Sequence, residues 1–355
     1  MTVERFSLIE LVEDLCVAKG VPFKPMRIAS DIMTTDVKIL TLDHTIMSFL
    51  QYMDVYKIRH APVFDPPIEK GQKPYFVGVV SQRDVLRLLP PYGTKTAREG
   101  QSLKELQKRL SLIVTRKPIC ALPQTPVPGL IALMLDNHID MLPIFSDSEL
   151  KGIVTTIDII KLFDRLKNAI HMLHPQLKKQ TLPVALPPAD SPETQLLFTW
   201  LTETVQNIMT REVASLQPNH TLADAMQLMQ KRKCSHVSIT DEEGKLNGIV
   251  SDRDILEQLP STSCRPPLPS KKFREHLFDV DPKAPCLNFP LSHIMAWKVI
   301  HILPDCLVTD VAKMLQRGKM NCCPVLDNEK KLLGIVTGSD IMRTLLAAYQ
   351  SKEKT

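Results

Sequence analysis

The apolar residues along the chain follow one spacing that recurs four times and predicts four similar helices. They stand at positions i, i+3, i+4 and i+7, which places them on one face of a helix. The four sets are Ile46, Phe49, Leu50 and Met53; Val127, Leu130, Ile131 and Met134; Leu222, Ala225, Met226 and Met229; and Val308, Val311, Ala312 and Leu315. In the third set, Thr221 and Asp224 form a T-x-x-D start, which predicts a capping box there.

Each of these helices is followed by β-type runs and a second helix. The runs APVF, LPIF, VSIT and CPVL precede a turn and a second run such as FVGVV or LNGIV, which is typical of strands joined by a hairpin. The segments DVLRLL, DIIKLF, DILEQL and DIMRTL then predict a second helix. The chain is therefore expected to be an α/β protein with four β-α-β-β-α repeats. One repeat is too small to bury a secure core, so the repeats should pair into two pseudo-two-fold modules.

A signature of the form G-h-V-[ST]-x-x-D closes every repeat. Its four copies are GVVSQRD (Gly78 to Asp84), GIVTTID (Gly152 to Asp158), GIVSDRD (Gly248 to Asp254) and GIVTGSD (Gly334 to Asp340). In repeats two to four this Asp lies 44, 45 and 45 positions after the residue that follows the opening Ile, whereas in repeat one it lies 51 positions after it. The extra length lies in DPPIEKGQKPY, where Pro and Gly predict a hairpin loop.

These patterns divide the chain into an N-terminal lead-in, four repeats and a linker. We predict a helix and lead-in at 1–27, repeats at 28–89, 110–163, 205–259 and 291–345, and a proline-rich linker between the modules at 164–204. The leading helix is expected from Val3 to Lys19. The connections Pro90 to Arg109 and Pro260 to Pro290 carry much of the positive charge. They lack interleaved aromatic residues, so solvated loops are favoured over a nucleic-acid patch.

Composition excludes several classes of protein. The 355 residues include only 12 Gly but 28 Pro, and neither G-x-G-x-x-G nor G-x-x-x-x-G-K-[ST] occurs, so a Rossmann dehydrogenase or P-loop NTPase is disfavoured. The net charge of +5 is a mild excess. The eight cysteines show no C-x-x-C and no spacing suited to zinc, so we expect reduced thiols, no metal site, and no bond between Cys322 and Cys323.

The N-terminal residues do not have the composition of a signal peptide. Glu4, Glu10, Glu13 and Asp14 interrupt any apolar core there, and no stretch approaches the 18 apolar residues of a membrane helix. A cytoplasmic protein with no membrane partner is therefore expected.

The segments IMTTDV, IMTREV and IMAWKV, together with the four signatures, resemble cystathionine-beta-synthase (CBS) domains. The resemblance covers about 226 of 355 residues. It implies that paired repeats form Bateman modules, whose clefts bind AMP, ADP, ATP, S-adenosylmethionine or cyclic dinucleotides, usually to regulate something else. The four-repeat organisation is similar to that of the gamma subunits of AMP-activated protein kinases, although we do not infer a kinase partner from this resemblance.

The signature suits a nucleotide on chemical grounds as well. A hydroxyl at the start of a helix lies beside free backbone N–H groups and the positive end of the helix, which favours phosphate. The candidates are Ser81, Thr155, Ser251 and Thr337. The Asp carboxylate only accepts hydrogen bonds, which suits ribose hydroxyls, and the candidates are Asp84, Asp158, Asp254 and Asp340. The alternative is that S-x-x-D merely caps a helix.

Odd and even repeats differ in charge around the signature. The odd repeats have Arg83 and Arg253 before the Asp, and His60 and His236 before the first strand; the even repeats have Ile157 and Ser339, and Met141 and Cys322. A third position, two residues after the opening Ile-Met or Ile-Val, is occupied along the four repeats by Thr35, Arg116, Arg211 and Trp297. Basic residues at these positions contact phosphates in the kinase gamma subunits. By that resemblance, the phosphate candidates are Arg83, Arg116, Arg211, Arg253, His60 and His236. A solvated or structural role is the alternative for each.

We therefore expect a non-catalytic regulatory protein that senses an adenine nucleotide (AMP, ADP or ATP) between paired repeats and acts as a homo-oligomer, such as a dimer, or on a regulated partner. S-adenosylmethionine and cyclic di-AMP remain open as ligands. The alternative is a ligand-free scaffold for homodimerisation or partner binding. An enzyme is disfavoured, because no catalytic domain remains once the repeats are subtracted and neither H-E-x-x-H nor G-x-S-x-G occurs.

Overall fold

The structure is a computed structural model. It describes residues 7–24, 26–65, 74–88, 106–175, 192–257, 290–318 and 320–350. Most of the DPPIEKGQKPY loop and of the two basic connections falls outside these ranges.

Helices and strands alternate along the chain in the order expected for four repeats. The helices are α1 (Leu8–Ala18), α2 (Ala29–Ile32), α3 (Ile46–Tyr56), α4 (Gln82–Leu88), α5 (Val127–Asp136), α6 (Thr156–Leu173), α7 (Pro192–Leu201), α8 (Val205–Ile208), α9 (Leu222–Arg232), α10 (Asp252–Glu257), α11 (Val308–Gly318) and α12 (Gly338–Tyr349). The strands are β1 (Leu40–Thr41), β2 (His60–Asp65), β3 (Tyr75–Ser81), β4 (Thr115–Arg116), β5 (Met141–Ser146), β6 (Glu149–Thr155), β7 (Ser215–Leu216), β8 (His236–Thr240), β9 (Leu246–Ser251), β10 (Cys322–Leu326) and β11 (Leu332–Thr337). Short 3-10 turns at Leu110–Leu112 and Leu291–His293 precede the even-numbered repeats' opening segments.

The predicted apolar stripes lie in the core, and the predicted caps are present. All members of the four sets are buried except Leu50, which is half-buried. The hydroxyl of Thr221 donates to Asp224 at 2.8 Å and accepts from its backbone N–H, which confirms the capping box of α9. Helix α1 begins after Ser7, which forms its own capping box with Glu10. The predicted extension of this helix to Val3 lies outside the described residues.

The predicted linker at 164–204 is helical at both ends. Helix α6 continues through Leu166, Ala169, Ile170 and Leu173, which are buried at helical spacing, and α7 follows from Pro192. The sequence predicts a linker because the proline-rich and least periodic stretch TLPVALPPADSPETQ lies in this segment. Residues 176–191 lie outside the described ranges. The apolar residues on either side pack against the core, and this packing extends the helices.

Repeats pair through exchange of their opening segments. Strand β4 of repeat 2 joins the sheet of repeat 1, antiparallel to β3, and Thr34 of repeat 1 bridges Ile153 of repeat 2. The second module has the same exchange, with bridges from Thr210 to Ile335 and from Ile249 to Ala296. The sheets therefore join repeat 1 to repeat 2 and repeat 3 to repeat 4, as expected for Bateman modules.

The exchange explains the glycine that opens every signature. A Cβ added to Gly78 would lie 2.1 Å from the carbonyl oxygen of Thr115, and one added to Gly152 would lie 2.7 Å from that of Thr34. Both contacts are shorter than any real Cβ makes. The partner's opening strand can approach this closely only because glycine has no side chain.

Helices pack mainly across the two modules, which the sequence pattern did not reveal. One buried cluster combines repeats 2 and 4 with α1 and α7, and a second combines repeats 1 and 3. Helix α6 packs against α11 and α12, while α4 packs against α10. The four repeats consequently meet at a common centre, where the first residues of these helices and strands converge.

Candidate functional site

A cavity of about 790 Å³ lies where the four repeats meet, and we call it the central cavity. Its walls come from the starts of β2, β5, β8 and β10, from the first residues of α6 and α12, and from the opening segment of repeat 3. Seven cationic side chains line it: Lys57, Arg59, Arg83, Arg232, Lys233, Arg253 and Arg343. Three carboxylates also line it: Asp140, Glu212 and Asp340. The lining therefore carries an excess of positive charge.

The carboxylates are already paired with some of these cations. Asp140 lies 3.1 Å from Arg83, Glu212 lies 3.6 Å from Arg232, and Asp340 lies 2.9 Å from Arg343. Within the described ranges, Arg59 and Arg253 have no carboxylate at ion-pair distance. Burial lowers the pKa of Arg59; the carboxylate of Asp252 opposes this shift, and the positive charge of Arg253 adds to it. Two guanidinium groups thus line the cavity without an ion pair in the described ranges, which favours an anionic ligand.

Both histidines of the odd repeats line the central cavity in their neutral form. Burial lowers the pKa of His236 to about 3, and the positive charges of Arg59 and Arg83 contribute. Burial also lowers the pKa of His60, although the carboxylate of Asp140 partly opposes this. A neutral imidazole still donates one hydrogen bond, and the Nδ1 atom of His236 lies 3.1 Å from the hydroxyl of Ser235.

Two helix starts adjoin each other at the cavity wall. A Cβ on Gly338, the first residue of α12, would lie 2.5 Å from the Cγ2 atom of Thr156, the first residue of α6. Thr156 and Gly338 both line the cavity. Because helix N-termini carry partial positive charge, this junction adds to the field of the arginines.

The signature Asp caps its helix in all four repeats. One carboxylate oxygen, Oδ2, accepts from the backbone N–H and the hydroxyl of the Ser or Thr three residues earlier, with hydroxyl distances of 2.6 to 2.7 Å. The predicted phosphate hydroxyls of Ser81, Thr155, Ser251 and Thr337 are therefore engaged by these carboxylates. The Oδ2 atom therefore has the capping role given above as the alternative. Only the other carboxylate oxygen, Oδ1, would be available to a ribose hydroxyl.

The Oδ1 atom has a different environment in odd and even repeats. In Asp158 it lies 3.4 Å from the hydroxyl of Thr34 and 2.9 Å from Lys161. In Asp340 it lies 3.1 Å from the hydroxyl of Thr210 and also binds Arg343.

The odd repeats leave this oxygen less engaged. Among the described residues, the Oδ1 atom of Asp84 has only Arg87 as a partner, at 3.4 Å, and that of Asp254 has none. In the second module, Ala296 of repeat 4 lies beside Ile249 of repeat 3, whereas Thr210 of repeat 3 lies beside Ile335 of repeat 4. Asp254 therefore lacks the hydroxyl donor that Asp340 has in Thr210.

The central cavity gathers half of the residues that the sequence nominated. It is lined by Thr155, Thr337, Asp340, Arg83, Arg253, His60 and His236. The other candidates lie outside its lining: Ser81, Ser251, Asp84, Asp158, Asp254, Arg116 and Arg211. Asp158 lines a separate cavity of about 220 Å³, Arg116 is exposed on β4, and Arg211 is exposed and donates to the carbonyl of Gln206 at 3.0 Å.

Several lining residues were missed in the sequence. Arg59 stands directly before His60, and the shared pattern K-x-x-H in KIRH and KCSH marks Lys57 and Lys233 as equivalent positions. Both lysines end their helix in the left-handed conformation, with φ of 54° and 53°. The threonine of the I-M-T opening was a further available signal, because it reaches the partner's Asp.

The even repeat 4 presents a thiol in place of a histidine. Cys322 is buried and free, and burial strongly raises its pKa, so the thiol stays protonated. Burial raises the pKa of the neighbouring Cys323 to about 12. The described cysteines are all free, and no cluster of metal-ligating side chains occurs among the residues that the structure describes. In that same part of the chain, no helix is both long and apolar enough to cross a bilayer.

Comparison with known proteins identifies the family. The CBS domain model matches at residues 29–91, 100–165, 205–261 and 291–347. The chain belongs to the CBS domain family.

Two uncharacterized proteins of Methanocaldococcus jannaschii are among its relatives. One is 30% identical over 156 residues, covering 40% of this chain and 90% of its own length. The other is 26% identical over 314 residues, covering 88% of this chain and 60% of its own length. A solved structure from the same organism, described as a proposed archaeal homologue of γ-AMPK, has a TM-score of 0.65 at 19% identity. That match covers 90% of this chain and 99% of the other, and supports a four-repeat CBS fold.

Proposed function

We propose that the protein is a non-catalytic regulator that binds an adenine nucleotide in the central cavity. The carrying observation is the pair Arg59 and Arg253, which line this cavity and make no ion pair among the described residues. Two unpaired guanidinium groups in a half-enclosed site attract an anion strongly, and arginine can hold phosphate through two parallel hydrogen bonds.

The adenosine would lie in the arm of the cavity that leads to Asp340. This Asp340 cleft is bounded by Val213 and Ala214 of repeat 3 and by Ile335 of repeat 4, which offer apolar contacts and backbone groups to a base. Asp340 and Thr210 are in contact at 3.1 Å in this cleft and would bind the ribose hydroxyls. From there, the phosphates would extend toward Arg59, Arg253 and His236.

The size and polarity of the cavity agree with such a ligand. Sites for small molecules commonly enclose about 300–1,000 Å³ and combine apolar walls with a few convergent polar groups. At about 790 Å³, the central cavity has room for a nucleoside di- or triphosphate. The ligand would contact all four repeats, so its binding would be coupled to the relative positions of the two modules.

A ligand-free scaffold is the second candidate, and one observation favours it. Asp340 is 3% exposed in its side chain, and both oxygens already have partners in Thr337, Thr210 and Arg343. A ribose would have to displace Thr210 or Arg343. As a scaffold, the protein would act through homodimerisation or through a regulated partner, in the cytoplasm.

Calorimetry on the purified chain separates the two candidates. The panel is adenosine, AMP, ADP, ATP, S-adenosylmethionine and cyclic di-AMP, with the Arg253→Gln variant and the exposed Arg317→Gln variant as its matched control. We expect affinity to increase with the number of phosphates. Arg253→Gln should weaken ATP by about ten- to a hundredfold, which corresponds to a lost hydrogen bond to a charged group, and leave adenosine nearly unchanged. Arg317→Gln should change neither.

Thermal shifts provide an independent measure. A ligand at a hundredfold excess over Kd stabilises the protein by about 2.7 kcal/mol. Failure of every adenine compound to bind would favour the scaffold, and preferential binding of S-adenosylmethionine, which has no phosphate, would contradict the assignment of the arginines.

A further inference from the structure

Arg83 and Arg253 occupy equivalent positions but have different neighbours. The Arg83 guanidinium lies 3.1 Å from the carboxylate of Asp140 and donates to the carbonyl of His138 at 3.3 Å. Arg253 lacks a carboxylate partner throughout the described residues. One module thus pairs its arginine with a carboxylate of its own, and the other module leaves the equivalent arginine without such a partner.

The residue that corresponds to Asp140 in the second module is Asn321. The backbone N–H of Thr156 donates to the carbonyl of Asp140 at 3.1 Å, and that of Gly338 donates to the carbonyl of Asn321 at 3.2 Å. Both residues directly precede the first hairpin strand of an even repeat, β5 or β10, and both line the central cavity. They are close in shape and differ mainly in charge, so the module asymmetry depends on a single carboxylate.

We propose that Asp140 determines specificity by acting as an internal anion that competes with ligand phosphate for Arg83. This proposal rests on the proposed function, since it concerns the same cavity. A ligand with few phosphates occupies Arg253 and Arg59 and leaves the Arg83–Asp140 pair intact. A ligand with more phosphates reaches Arg83 only by displacing Asp140 and tolerating its negative charge. Asp140 therefore reduces the advantage of each additional phosphate.

The competition is of a strength that a ligand can overcome. The two side chains are 34% and 31% exposed, and an ion pair with this access to water is weak compared with a buried one. Asp140 also acts electrostatically on Arg59, His60 and His236, so its charge is felt across the cationic wall and not only at Arg83. Its removal should therefore favour phosphate at more than one contact.

Reciprocal substitutions test the proposal. Asp140→Asn gives repeat 2 the residue of repeat 4, and Asn321→Asp gives repeat 4 the residue of repeat 2. Binding of adenosine, AMP, ATP and inorganic triphosphate is measured by calorimetry at low and high salt. We expect Asp140→Asn to raise ATP affinity about five- to tenfold at low salt, AMP affinity less, and adenosine affinity not at all. Asn321→Asp should change them in the opposite direction.

The double variant Arg83→Gln with Asp140→Asn separates competition from a general effect on folding. Because the gain requires a released Arg83, most of it should be lost in the Arg83→Gln background. Melting temperatures without ligand show whether either variant is destabilised. An equal effect on adenosine and ATP, or an undiminished gain without Arg83, would overturn the proposal.

The wild-type protein distinguishes this inference from the proposed function. If wild type binds ATP and Asp140→Asn changes nothing, the competition is wrong and the nucleotide function stands. If nucleotides do not bind but inorganic triphosphate does, with the expected gain in Asp140→Asn, the proposed function fails and the role of Asp140 stands. If neither anion binds to wild type or to Asp140→Asn, both are overturned.

Discussion

His236 should make the stability of the protein depend on pH in a defined window. Its pKa falls from an ordinary value of 6.5 to about 3 on folding, chiefly through burial at the cavity wall beside Arg59 and Arg83. The unfolded chain therefore binds one more proton than the folded chain between these two values. The contribution of His236 to the free energy of unfolding is fully present above pH 6.5 and is lost as the pH falls toward 3.

The magnitude follows from the two pKa values. Each pH unit inside the window costs about 1.4 kcal/mol, and integration from pH 6.5 to 5.0 gives about 1.6 kcal/mol for His236 alone. His60 acts in the same direction, since burial also lowers its pKa. Asp252 acts in the opposite direction, because burial raises its pKa to about 6 and the folded state then favours its protonated form.

Urea unfolding of wild type and His236→Asn isolates this contribution, because His60 and Asp252 are common to both proteins. Asparagine can retain a contact with Ser235 but does not titrate. The stability of wild type relative to the variant should decrease by about 1.6 kcal/mol between pH 6.5 and 5.0. Asp252→Asn is the control of opposite sign, since wild type should gain relative to it over the same interval. Parallel pH profiles for wild type and His236→Asn would refute the neutral state of this half-buried histidine.

The remaining predictions concern packing and a single hydrogen bond. Gly78→Ala should cost about 3 kcal/mol or more in urea unfolding, since the new methyl group would overlap the carbonyl of Thr115. The control is Gly129→Ala in helix α5, where the added Cβ would have no neighbouring atom closer than 3.7 Å. This substitution should stabilise the protein by about 0.5–1 kcal/mol, and a loss of stability would contradict this packing. Tyr349→Phe should cost about 1 kcal/mol, because the hydroxyl donates to the carbonyl of Met26 at 2.9 Å; an unchanged unfolding midpoint would exclude that bond.

The sequence predicted the repeats well because their signals are local. Apolar spacing located the first helix of each repeat, and the recurring G-h-V-[ST]-x-x-D signature located the last strand and the start of the second helix. Pairing of modules through helices was not predictable in the same way, since the stripes of α6 and α12 show that each buries a face but not against which helix.

Prediction of the site was limited for a different reason. The sequence shows that Arg83 and Arg253 are equivalent, yet Arg83 has a carboxylate neighbour, Asp140, which lies in another repeat and reaches it only after folding. The same applies to Thr34 and Asp158, which are 124 positions apart and in contact. Arg116 and Arg211 share one position of the repeat, but position alone does not specify the direction of a side chain.

The exchanged opening segments affect how such a chain can grow or shrink during evolution. A repeat cut out alone would lose the partner strand that covers its signature glycine and would expose a bare sheet edge, which invites aggregation. Deleting one repeat from the four would leave its former partner in that condition. Gain or loss by whole modules keeps each signature glycine beside the opening segment of its partner repeat, so the smallest inheritable unit of this architecture is the pair.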